Sequence, residues 1–381
     1  MSRSALRHLE GELAALARAG LLRDRPPPVD RIPGGLLHLC SNDYLGYRSS
    51  RRLEPYARAA AAEHPAGAGA SRLVLGEHRA HEELEASLAA WLNAEDSLVF
   101  TSGYTANVGT IAALAQPGDL VVSDALNHAS IIDGCRLSRA QVEVVAHRSI
   151  EDVHRVLRSS TARRRWVITE SYFSMEGDSP DLSALREVCD EWDAALVVDE
   201  AHAMGVFGRE GQGRAHEEGV RADVLVGTLG KALGTQGAFV AGSRDLCRWL
   251  WNRARSFVFS TGLSPLLACI ARSAVDEARG DERGRRELSA VASRLRAGLA
   301  GLGIETANTR GPILPIIMGT EARALAWSLA LEKQGVLIQA IRPPTVPPGT
   351  SRLRLTARAD LNAFDVERAL DAFARLAKEQ R

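Results

Sequence analysis

Val224-Leu-Val-Gly-Thr-Leu-Gly-Lys-Ala-Leu-Gly-Thr-Gln-Gly237 combines an apolar, strand-like run with a glycine-rich loop around one lysine, Lys231. The apolar run comes first, and Gly230, Gly234 and Gly237 flank the lysine. Because glycine has no side chain, backbone at these positions can approach a ligand closely. The stretch therefore predicts a strand followed by a ligand-binding loop that carries an amine able to form an imine.

Lysine is scarce in this sequence. Lysine and arginine together number 47, and the lysines among them are Lys231, Lys333 and Lys378. Lys333 and Lys378 lie in charge-rich, helix-like contexts, where a solvated face or a helix end is the expected place for a cation. Lys231 is therefore the candidate for chemistry that needs an amine.

A phosphate-binding P-loop is the main alternative for a lysine in a glycine-rich loop. That motif needs glycine where Leu225 stands and serine or threonine where Ala232 stands. Without a P-loop, the Asp199-Glu-Ala-His202 tetrad does not indicate an ATPase.

The composition favours small-molecule chemistry. The 381 residues are 45% hydrophobic, enough for a large core and a second, smaller domain. The 47 basic and 47 acidic residues cancel, so no charge imbalance indicates nucleic acid or an anionic membrane as a partner. The five cysteines have no metal-ligand spacing, and no apolar run resembles a signal peptide or a membrane span. We therefore expect free thiols, no metal site and a cytoplasmic protein.

Apolar strands alternate with amphipathic helices through the middle of the chain. The predicted strands are 120–123, 142–146, 166–170, 195–199, 224–228 and 238–241. This alternation predicts an α/β fold with a largely parallel sheet, whose ligands bind beyond the carboxyl ends of the strands. We expect an N-terminal arm over 1–45, a large domain over 46–280 and a small C-terminal domain over 281–381.

An anion site is predicted where the strand-like run 97–101 meets Ser102-Gly-Tyr-Thr-Ala-Asn107. A strand, a tight glycine turn and a helix start present backbone N–H groups and the positive end of the helix dipole to a ligand. A phosphate fits there, although many such loops bind nothing.

Two further stretches leave alternatives open. Pro65-Ala-Gly-Ala-Gly-Ala-Ser-Arg72 is either a glycine-rich loop that leads into a helix or a flexible linker. His78 and His81 are expected on the surface of that helix, because no third metal ligand is in register with them.

An alternating strand is predicted at Ser351-Arg-Leu-Arg-Leu-Thr356. Leu353 and Leu355 should face the core, and Arg352 and Arg354 should face the opposite side. The alternative is an edge strand whose charges face water.

The sequence thus predicts three features: a lysine in a glycine-rich loop, an anion-binding helix start, and an aspartate that ends a buried strand. Pyridoxal phosphate needs this set: Lys231 for an imine, a phosphate cradle, and Asp199 to keep the pyridine nitrogen protonated. Asp199 and Lys231 are 32 positions apart, which leaves room for one helix and one strand between them.

At these positions the chain resembles the α-oxoamine synthases, pyridoxal-phosphate enzymes of the aspartate-aminotransferase-like fold (fold type I). The resemblance rests on the motifs 41–46 (SNDYLG), 101–104 (TSGY), 127–130 (NHAS), 170–178 (ESYFSMEGD), 198–202 (VDEAH), 228–231 (TLGK) and 342–347 (RPPTVP). The sequence departs from the family pattern at Glu200 and at Ala203-Met204. These positions are next to Asp199 and His202, which themselves match the pattern.

The resemblance implies roles for single residues. It makes Lys231 the imine-forming lysine, Asp199 the partner of the ring nitrogen, His202 the partner of the ring hydroxyl and His128 a residue that stacks on the ring. Further cofactor contacts implied by the resemblance are Gly103, Tyr104, Ser174, Thr228, Ser260 and Thr261. Because Ser260 and Thr261 match a segment that reaches the phosphate from a partner subunit, a homodimer with shared active sites is expected.

Within the family, the segment 340–356 is most similar to members that join L-alanine to a pimeloyl thioester, on coenzyme A or a carrier protein, in biotin synthesis. The implied substrate-binding residues are Arg23, His128, Arg342, Thr345 and Arg354. Glycine C-acetyltransferase and 5-aminolevulinate synthase are the alternatives, and they differ at Ile341-Arg-Pro. A cofactor-sensing regulator is a further alternative, but fewer than about fifty residues precede Asn42, too few for a DNA-binding domain with its own core.

Overall fold

The computed structural model describes residues 4–23, 25, 35–306 and 310–379. The chain divides into two compact units. The large unit comprises 42–174 and 178–288, and the small unit comprises 175–177, 289–381 and the residues up to 41, as far as they are described. The domain limits expected from the sequence stay a prediction.

The α-helices of the described residues are α1 (His8–Arg18), α2 (Glu54–Glu63), α3 (Arg79–Leu92), α4 (Gly103–Leu114), α5 (Ala129–Ser138), α6 (Ile150–Ser159), α7 (Leu182–Glu191), α8 (Arg214–Glu217), α9 (Arg244–Arg253), α10 (Arg255–Val258), α11 (Pro265–Gly280), α12 (Glu282–Gly301), α13 (Glu321–Lys333) and α14 (Ala363–Glu379). The strands are β1 (Leu37–His38), β2 (Asp96–Phe100), β3 (Leu120–Asp124), β4 (Gln141–Val145), β5 (Arg165–Glu170), β6 (Ala194–Asp199), β7 (Val224–Thr228), β8 (Ala238–Gly242), β9 (Ile313–Gly319), β10 (Val336–Leu337), β11 (Gln339–Ile341) and β12 (Ser351–Thr356). The sequence also predicts that the proline run 26–28 ends the first helix, and these residues lie outside the described part of the chain.

The large unit is built on a seven-stranded sheet with the order β2-β8-β7-β6-β5-β3-β4. Every neighbouring pair from β7 to β4 is parallel, whereas β8 runs antiparallel to both β7 and β2. The predicted alternation of strands and helices is therefore confirmed, with one reversed strand. Because the parallel strands end at one edge of the sheet, the polar residues that follow them are gathered there.

Helices cover both faces of this sheet. Successive strand residues point to opposite faces, so Ile168 and Val197 join a core cluster with α4, α5 and α9. Their neighbours Val167 and Leu196 join a second cluster with α6 and α7. Burial on both faces explains why these strands read as unbroken apolar runs in the sequence.

The small unit contains a three-stranded antiparallel sheet with the order β11-β12-β9, and a parallel pair of β1 and β10. The alternative of a solvent-facing edge strand is wrong, because β12 is the central strand and all its residues are buried. Leu353 and Leu355 are in the core, as predicted, and Arg352 and Arg354 are each only 5% exposed. Arg352 Nη1 lies 2.8 Å from Glu176 Oε1.

The glycine-rich stretch before α3 ends in a buried ion pair. Arg72 is 5% exposed, and its guanidinium lies 2.5 Å from carboxylate oxygens of both Glu77 and Glu85. A flexible linker would leave this arginine in solvent, so that alternative is wrong. Ser71 and Gly76 bound the short helical turn that holds the arginine in place.

The surface position expected for His81 is also wrong. His81 is fully buried, and its Nε2 lies 2.7 Å from the carbonyl oxygen of Leu263. Its Nδ1 accepts the backbone N–H of His78, which caps α3. His81 is therefore a core histidine whose ring nitrogens both have partners.

Two general features bear on the class of protein. Across the ranges that the structure describes, no helix combines the length and apolar content that crossing a membrane requires. In the same ranges, no group of three or more histidine, cysteine, aspartate or glutamate side chains converges as metal ligands would. The cysteines are free thiols, half-buried at Cys40 and Cys269 and buried at Cys135, Cys189 and Cys247.

Candidate cofactor site

Lys231 lies in a closed loop that follows β7. The loop is fastened by hydrogen bonds from the Leu229 N–H to the Gly237 carbonyl oxygen (2.9 Å) and from the Thr235 N–H to the Leu229 carbonyl oxygen (3.0 Å). Gly234 has a φ of +67°, and a Cβ there would come within 2.8 Å of the Tyr47 Cβ. The glycine is therefore needed both for the backbone conformation and for the close approach of the loop to the rest of the unit.

The amine of Lys231 contacts a histidine from the neighbouring strand end. Lys231 Nζ lies 2.8 Å from His202 Nε2, and His202 Nδ1 lies 2.6 Å from the Tyr44 hydroxyl. His202 is 6% exposed and Tyr44 is fully buried. The structure therefore brings Lys231 and His202 together, as expected, and adds Tyr44, which the sequence analysis did not single out.

Asp199 is the last residue of β6, and its carboxylate accepts hydrogen bonds from the backbone after the strand and from a side chain of α4. Its Oδ1 accepts the Ala201 N–H at 2.8 Å, and its Oδ2 accepts the Asn107 side-chain N–H at 2.7 Å. Asn107 Nδ2 also donates to the Ser130 hydroxyl at 3.0 Å, and that hydroxyl lies 2.8 Å from His128 Nδ1. A chain of buried hydrogen bonds thus connects the predicted ring-nitrogen partner with the predicted stacking histidine.

His128 caps the amino end of α5 through its side chain, which accepts the Ser130 N–H. Burial lowers the pKa of the His128 imidazole, and the nearby Lys231 amine lowers it further, while the Asp199 carboxylate opposes them. The imidazole is therefore neutral at physiological pH, which suits a ring that stacks on another aromatic ring.

The anion site is predicted at the amino end of α4. Ser102 caps this helix, its hydroxyl accepts the Thr105 N–H, and Gly103 and Tyr104 supply the first-turn N–H groups. A Cβ built on Gly103 would lie 4.0 Å from Thr228 Oγ1, so the helix end and the start of the Lys231 loop face each other. The Tyr104 side chain is half exposed, and its hydroxyl donates to Asp133. The proposed anion contact of Tyr104 is therefore through its backbone N–H, not its hydroxyl.

Ser174 and the pair Ser260 and Thr261 occupy different surroundings. Ser174 is buried, four residues after the end of β5. Thr261 is exposed and Ser260 is half-buried, in the segment after α10. The side chains of Ser260 and Thr261, unlike that of Ser174, therefore lie where a second subunit could approach them.

The predicted substrate-binding residues lie in the small unit, apart from His128. Arg23 Nη2 donates to the Pro343 carbonyl oxygen at 3.2 Å, and the Arg342 guanidinium donates to the Gly20 carbonyl oxygen. The Thr345 N–H donates to the Arg342 carbonyl oxygen at 3.1 Å, so these three residues are neighbours. Arg354 lies on β12, where its Nη1 is 3.3 Å from the Thr356 hydroxyl.

Four residues that lie beside the predicted ones could not be singled out from the sequence: Tyr44, Asn107, Ser130 and Glu170. Ser130 and Glu170 lie inside motifs on which the resemblance rests, and Tyr44 lies inside another. Glu170 ends β5 beside Asp199 and is 3% exposed, and its Oε1 has no hydrogen-bond partner among the described residues. Burial, followed by the Asp199 charge, raises the pKa of Glu170 well above its usual value, while Lys231 opposes the shift.

These groups fit pyridoxal phosphate. Within one unit they supply an amine, a buried carboxylate with fixed geometry, a neutral imidazole and a helix end whose N–H groups suit a phosphate. The buried Glu170 Oε1, which has no hydrogen-bond partner among the described residues, leaves polar capacity at this site for a bound group. The donor set is therefore that of a pyridoxal-phosphate site.

Comparison with known proteins agrees with this chemistry. The sequence model of the aminotransferase class I and II family matches residues 35–373. The 8-amino-7-oxononanoate synthase of Anaeromyxobacter dehalogenans (strain 2CP-1 / ATCC BAA-258) is 48% identical over 98% of this chain and 96% of its own length. A relative of the same name from Marinobacter nauticus is 44% identical over 97% of this chain and 96% of its own.

Solved structures agree on the fold. A serine palmitoyltransferase from S. paucimobilis, solved with a PLP-myriocin aldimine, is 26% identical with a TM-score of 0.92, covering 99% of this chain and 98% of that one. The 8-amino-7-oxononanoate synthase of Francisella tularensis is 22% identical with a TM-score of 0.77, covering 91% of this chain and 98% of that one. The expected aspartate-aminotransferase-like fold and the pyridoxal-phosphate cofactor are confirmed.

Proposed function

The chain belongs to the class I and II aminotransferase family and, within it, to the 8-amino-7-oxononanoate synthases, and from this premise we propose how its residues carry out the reaction. It is a pyridoxal-phosphate-dependent acyltransferase of biotin synthesis. It joins L-alanine to a pimeloyl thioester and gives 8-amino-7-oxononanoate, carbon dioxide and the free thiol. The observation that carries the assignment of residues is the contact of Lys231 with His202 beside Asp199 at one edge of the sheet.

Four residues act on the cofactor and on the reacting carbon. When bound, pyridoxal phosphate supplies an electron sink for the negative charge left at the α-carbon of alanine. Lys231 Nζ would hold the cofactor, and as a free amine it would accept the α-proton of alanine. The Asp199 carboxylate keeps a proton on the ring nitrogen, His202 binds the ring hydroxyl, and His128 packs against the ring.

The phosphate is assigned to the start of α4. The backbone N–H groups of Gly103 and Tyr104 supply the donors, and Thr228 and Ser174 supply further polar contacts to the cofactor. The distance between Gly103 and Thr228 supports this assignment. A helix end favours an anion without needing a lysine, which suits a chain in which lysine is scarce.

The small-unit arginines are assigned to the carboxylates of the substrates. Arg354 binds the carboxylate of alanine through paired N–H donors until it leaves as carbon dioxide. Arg23 and Arg342, with Thr345, bind the pimeloyl thioester, whose chain ends in a second carboxylate. Each of these two arginines donates to a backbone carbonyl oxygen in the other's segment, Arg23 to Pro343 and Arg342 to Gly20, so the segments that carry them are in contact, which supports a shared role.

A product assay tests the proposal. The purified protein is incubated with L-alanine, glycine or L-serine, each with pimeloyl-CoA and with a pimeloyl carrier protein, and the products are identified by mass. We expect 8-amino-7-oxononanoate from alanine. Preferred use of glycine would favour the alternatives within the α-oxoamine synthases, and the better acyl donor shows which thioester the protein uses.

A homodimer with shared active sites is proposed from an exposed apolar patch. Val74 and Leu75 are 79% and 83% exposed, and Phe259 is 70% exposed. The two segments are adjacent, because the Ser71 hydroxyl donates to the Val258 carbonyl oxygen at 2.7 Å. An apolar patch of this kind indicates a protein interface, and it adjoins Ser260 and Thr261.

Mixing of inactive variants tests the shared site. Lys231→Ala lacks the amine, and a Ser260→Ala/Thr261→Ala double variant lacks the proposed contacts to the partner's phosphate. If each site uses both subunits, a mixed dimer regains one intact site, and activity rises above that of either variant alone. Activity that does not rise after subunit exchange would contradict sharing.

A cytoplasmic location is proposed from the thiols. Free cysteines persist in reducing compartments, and this chain carries five. Fractionation of cells that express the protein tests the location, and recovery with the membrane or periplasmic fraction would contradict it.

A further inference from the structure

Glu200 follows Asp199 directly in the chain, and its side chain has no part in the mechanism above. It is fully buried, and a buried carboxylate is costly unless its oxygens accept hydrogen bonds. Three groups donate to it: the Ser171 hydroxyl at 2.6 Å, the Arg214 N–H at 3.0 Å and the Ala215 N–H at 2.7 Å. Glu200 is therefore a well-partnered buried carboxylate, one residue from the aspartate assigned to the ring nitrogen.

Two of these contacts close a loop on itself. Residues 200–215, which we call the His202 loop, begin directly after β6 and end within α8. The two backbone donors lie 14 and 15 residues after Glu200, so its side chain joins the first residue of the loop to the last two. Within the loop, the Gly205 N–H donates to the Gly211 carbonyl oxygen at 2.7 Å. The loop is therefore compact, and Glu200 fastens its two ends.

The His202 loop also lies against the lysine of the site. The Ala203 N–H donates to the Glu200 carbonyl oxygen at 2.8 Å, so His202 lies inside a turn that begins at Glu200. A Cβ built on Gly205 would come within 3.0 Å of the Cβ of Ala232, the residue after the lysine. A movement of the loop would therefore change the contact between His202 and the lysine amine.

The length of the Glu200 side chain fits the loop. Gly213 has a φ of +102°, and a Cβ there would come within 2.6 Å of Glu200 Oε2, so the carboxylate lies against bare backbone. An aspartate would end one carbon–carbon bond, about 1.5 Å, short of this place. Its oxygens would then lie beyond hydrogen-bond distance of the Arg214 and Ala215 N–H groups. Closure of the loop therefore needs the longer side chain.

We propose that Glu200 is a positioning residue for the reaction: its carboxylate closes the His202 loop and thereby holds His202 against Lys231. The inference rests on the proposed function, because it takes His202 as the partner of the cofactor's ring hydroxyl. Glu200 touches no reacting atom in this account. It acts through the loop that it closes.

Hydrogen exchange of the cofactor-free protein tests the closure. Glu200→Asp keeps the charge but should not reach the two backbone donors. The amides of residues 200–215 should then exchange about tenfold faster than in the wild type, the effect of about one lost buried hydrogen bond. Glu200→Gln keeps the length, but its NH2 group must face one of the three donors, so its loop amides should exchange faster as well.

Asp119→Asn is the matched control. Asp119 is equally buried and accepts the Gln116 N–H at 3.0 Å, but it lies just before β3, at the opposite edge of the same sheet. Its substitution should lower the free energy of unfolding and leave exchange in the His202 loop unchanged. Faster exchange of this loop in Asp119→Asn as well would show a general loosening of the unit and would count against the proposal.

Cofactor titration tests the effect on the site. In Glu200→Asp the dissociation constant for pyridoxal phosphate should rise about tenfold. The pH midpoint of the cofactor absorption band should also shift, because His202 contacts the amine that would hold the cofactor. A carboxylate that only stabilised the fold would lower the free energy of unfolding without moving this midpoint. Lowered stability of Glu200→Asp with a wild-type pH midpoint and wild-type exchange would overturn the proposal.

The outcomes are distinguishable from a failure of the proposed function. If the wild type binds no pyridoxal phosphate, the proposed function is wrong, yet hydrogen exchange still decides whether Glu200 closes the His202 loop. If Glu200→Asp loosens the loop but binds the cofactor with wild-type affinity and midpoint, the positioning role is wrong while the function stands. If Glu200→Asp does not fold, Glu200→Gln carries both measurements, and wild-type values there would overturn the proposal.

Discussion

Lys231 Nζ lies 2.8 Å from His202 Nε2 at the carboxyl edge of the large sheet. The opposite nitrogen of the same ring, Nδ1, lies 2.6 Å from the Tyr44 hydroxyl. Because the Tyr44 hydroxyl donates to Asn42 Oδ1 at 3.4 Å, its oxygen accepts from His202 Nδ1, and Nε2 is the nitrogen that accepts from the Lys231 amine. The tautomer of His202 is thus set by a tyrosine that lies 158 residues earlier in the chain.

Tyr44→Phe should loosen this arrangement. The lost buried hydrogen bond should lower the free energy of unfolding by about 0.5–1.5 kcal/mol and should slow turnover, because the His202 ring is free to change its tautomer. Denaturant unfolding and steady-state kinetics measure both effects. Tyr56→Phe removes an exposed hydroxyl that binds Glu277, and it should leave turnover unchanged.

Asp199→Asn should still bind pyridoxal phosphate, because the phosphate site is untouched. Turnover should fall about 10²–10³-fold, the size of effect typical of removing one group that stabilises developing charge, since an amide cannot keep the ring nitrogen protonated. Asp193→Asn changes an exposed residue just before the other end of the same strand and serves as the control. Near-normal activity of Asp199→Asn would remove this residue from the mechanism.

Arg354→Lys should weaken alanine binding far more than acyl-donor binding. A lysine cannot copy the two parallel hydrogen bonds of a guanidinium, and the loss should amount to about 1.5–3 kcal/mol. Titration of alanine into the holoenzyme, followed through the cofactor spectrum, measures it. Arg352→Lys is the matched control, because Arg352 is equally buried on the same strand but pairs with Glu176. Unchanged alanine affinity in Arg354→Lys would exclude the assigned role.

His147 should make stability depend on pH. Burial opposes its charge, but hydrogen bonds to Asp124 (2.9 Å) and Asp178 (3.2 Å) outweigh burial and raise its pKa to about 9. Because the folded pKa exceeds the unfolded value of about 6.5, this stabilisation is complete below pH ~6.5 and is lost as the pH rises through ~9. It should amount to about 1.5–3 kcal/mol, the size of a hydrogen bond to a charged group.

Denaturant unfolding across that pH range measures the effect. The decline in stability from pH 6.5 to 9.5 should be clearly smaller in His147→Asn than in the wild type. His154→Asn, which alters a half-buried histidine 3.4 Å from Glu191, should leave the decline unchanged. Identical pH profiles for the wild type and His147→Asn would contradict the role of His147.

The strands of the large sheet could be predicted because burial on both faces leaves unbroken apolar runs in the sequence. Lys231 and Asp199 could be proposed from the sequence, because lysine is scarce in this chain and both residues lie at or just beyond the ends of apolar, strand-like runs. Tyr44, Asn107 and Glu170 could not be identified as site residues, because their partners come from distant segments and only the folded chain brings them together. The surface position assigned to His81 failed for the same reason, since its partner Leu263 lies 182 residues away.

Borohydride reduction of the holoenzyme, followed by peptide mapping, tests the central claim most directly. Reduction makes the bond between cofactor and lysine permanent, and the chain offers three lysines as acceptors. The label should be found on the peptide that contains Lys231, and Lys231→Ala should lose both the label and the yellow colour. A label on Lys333 or Lys378 would contradict the account.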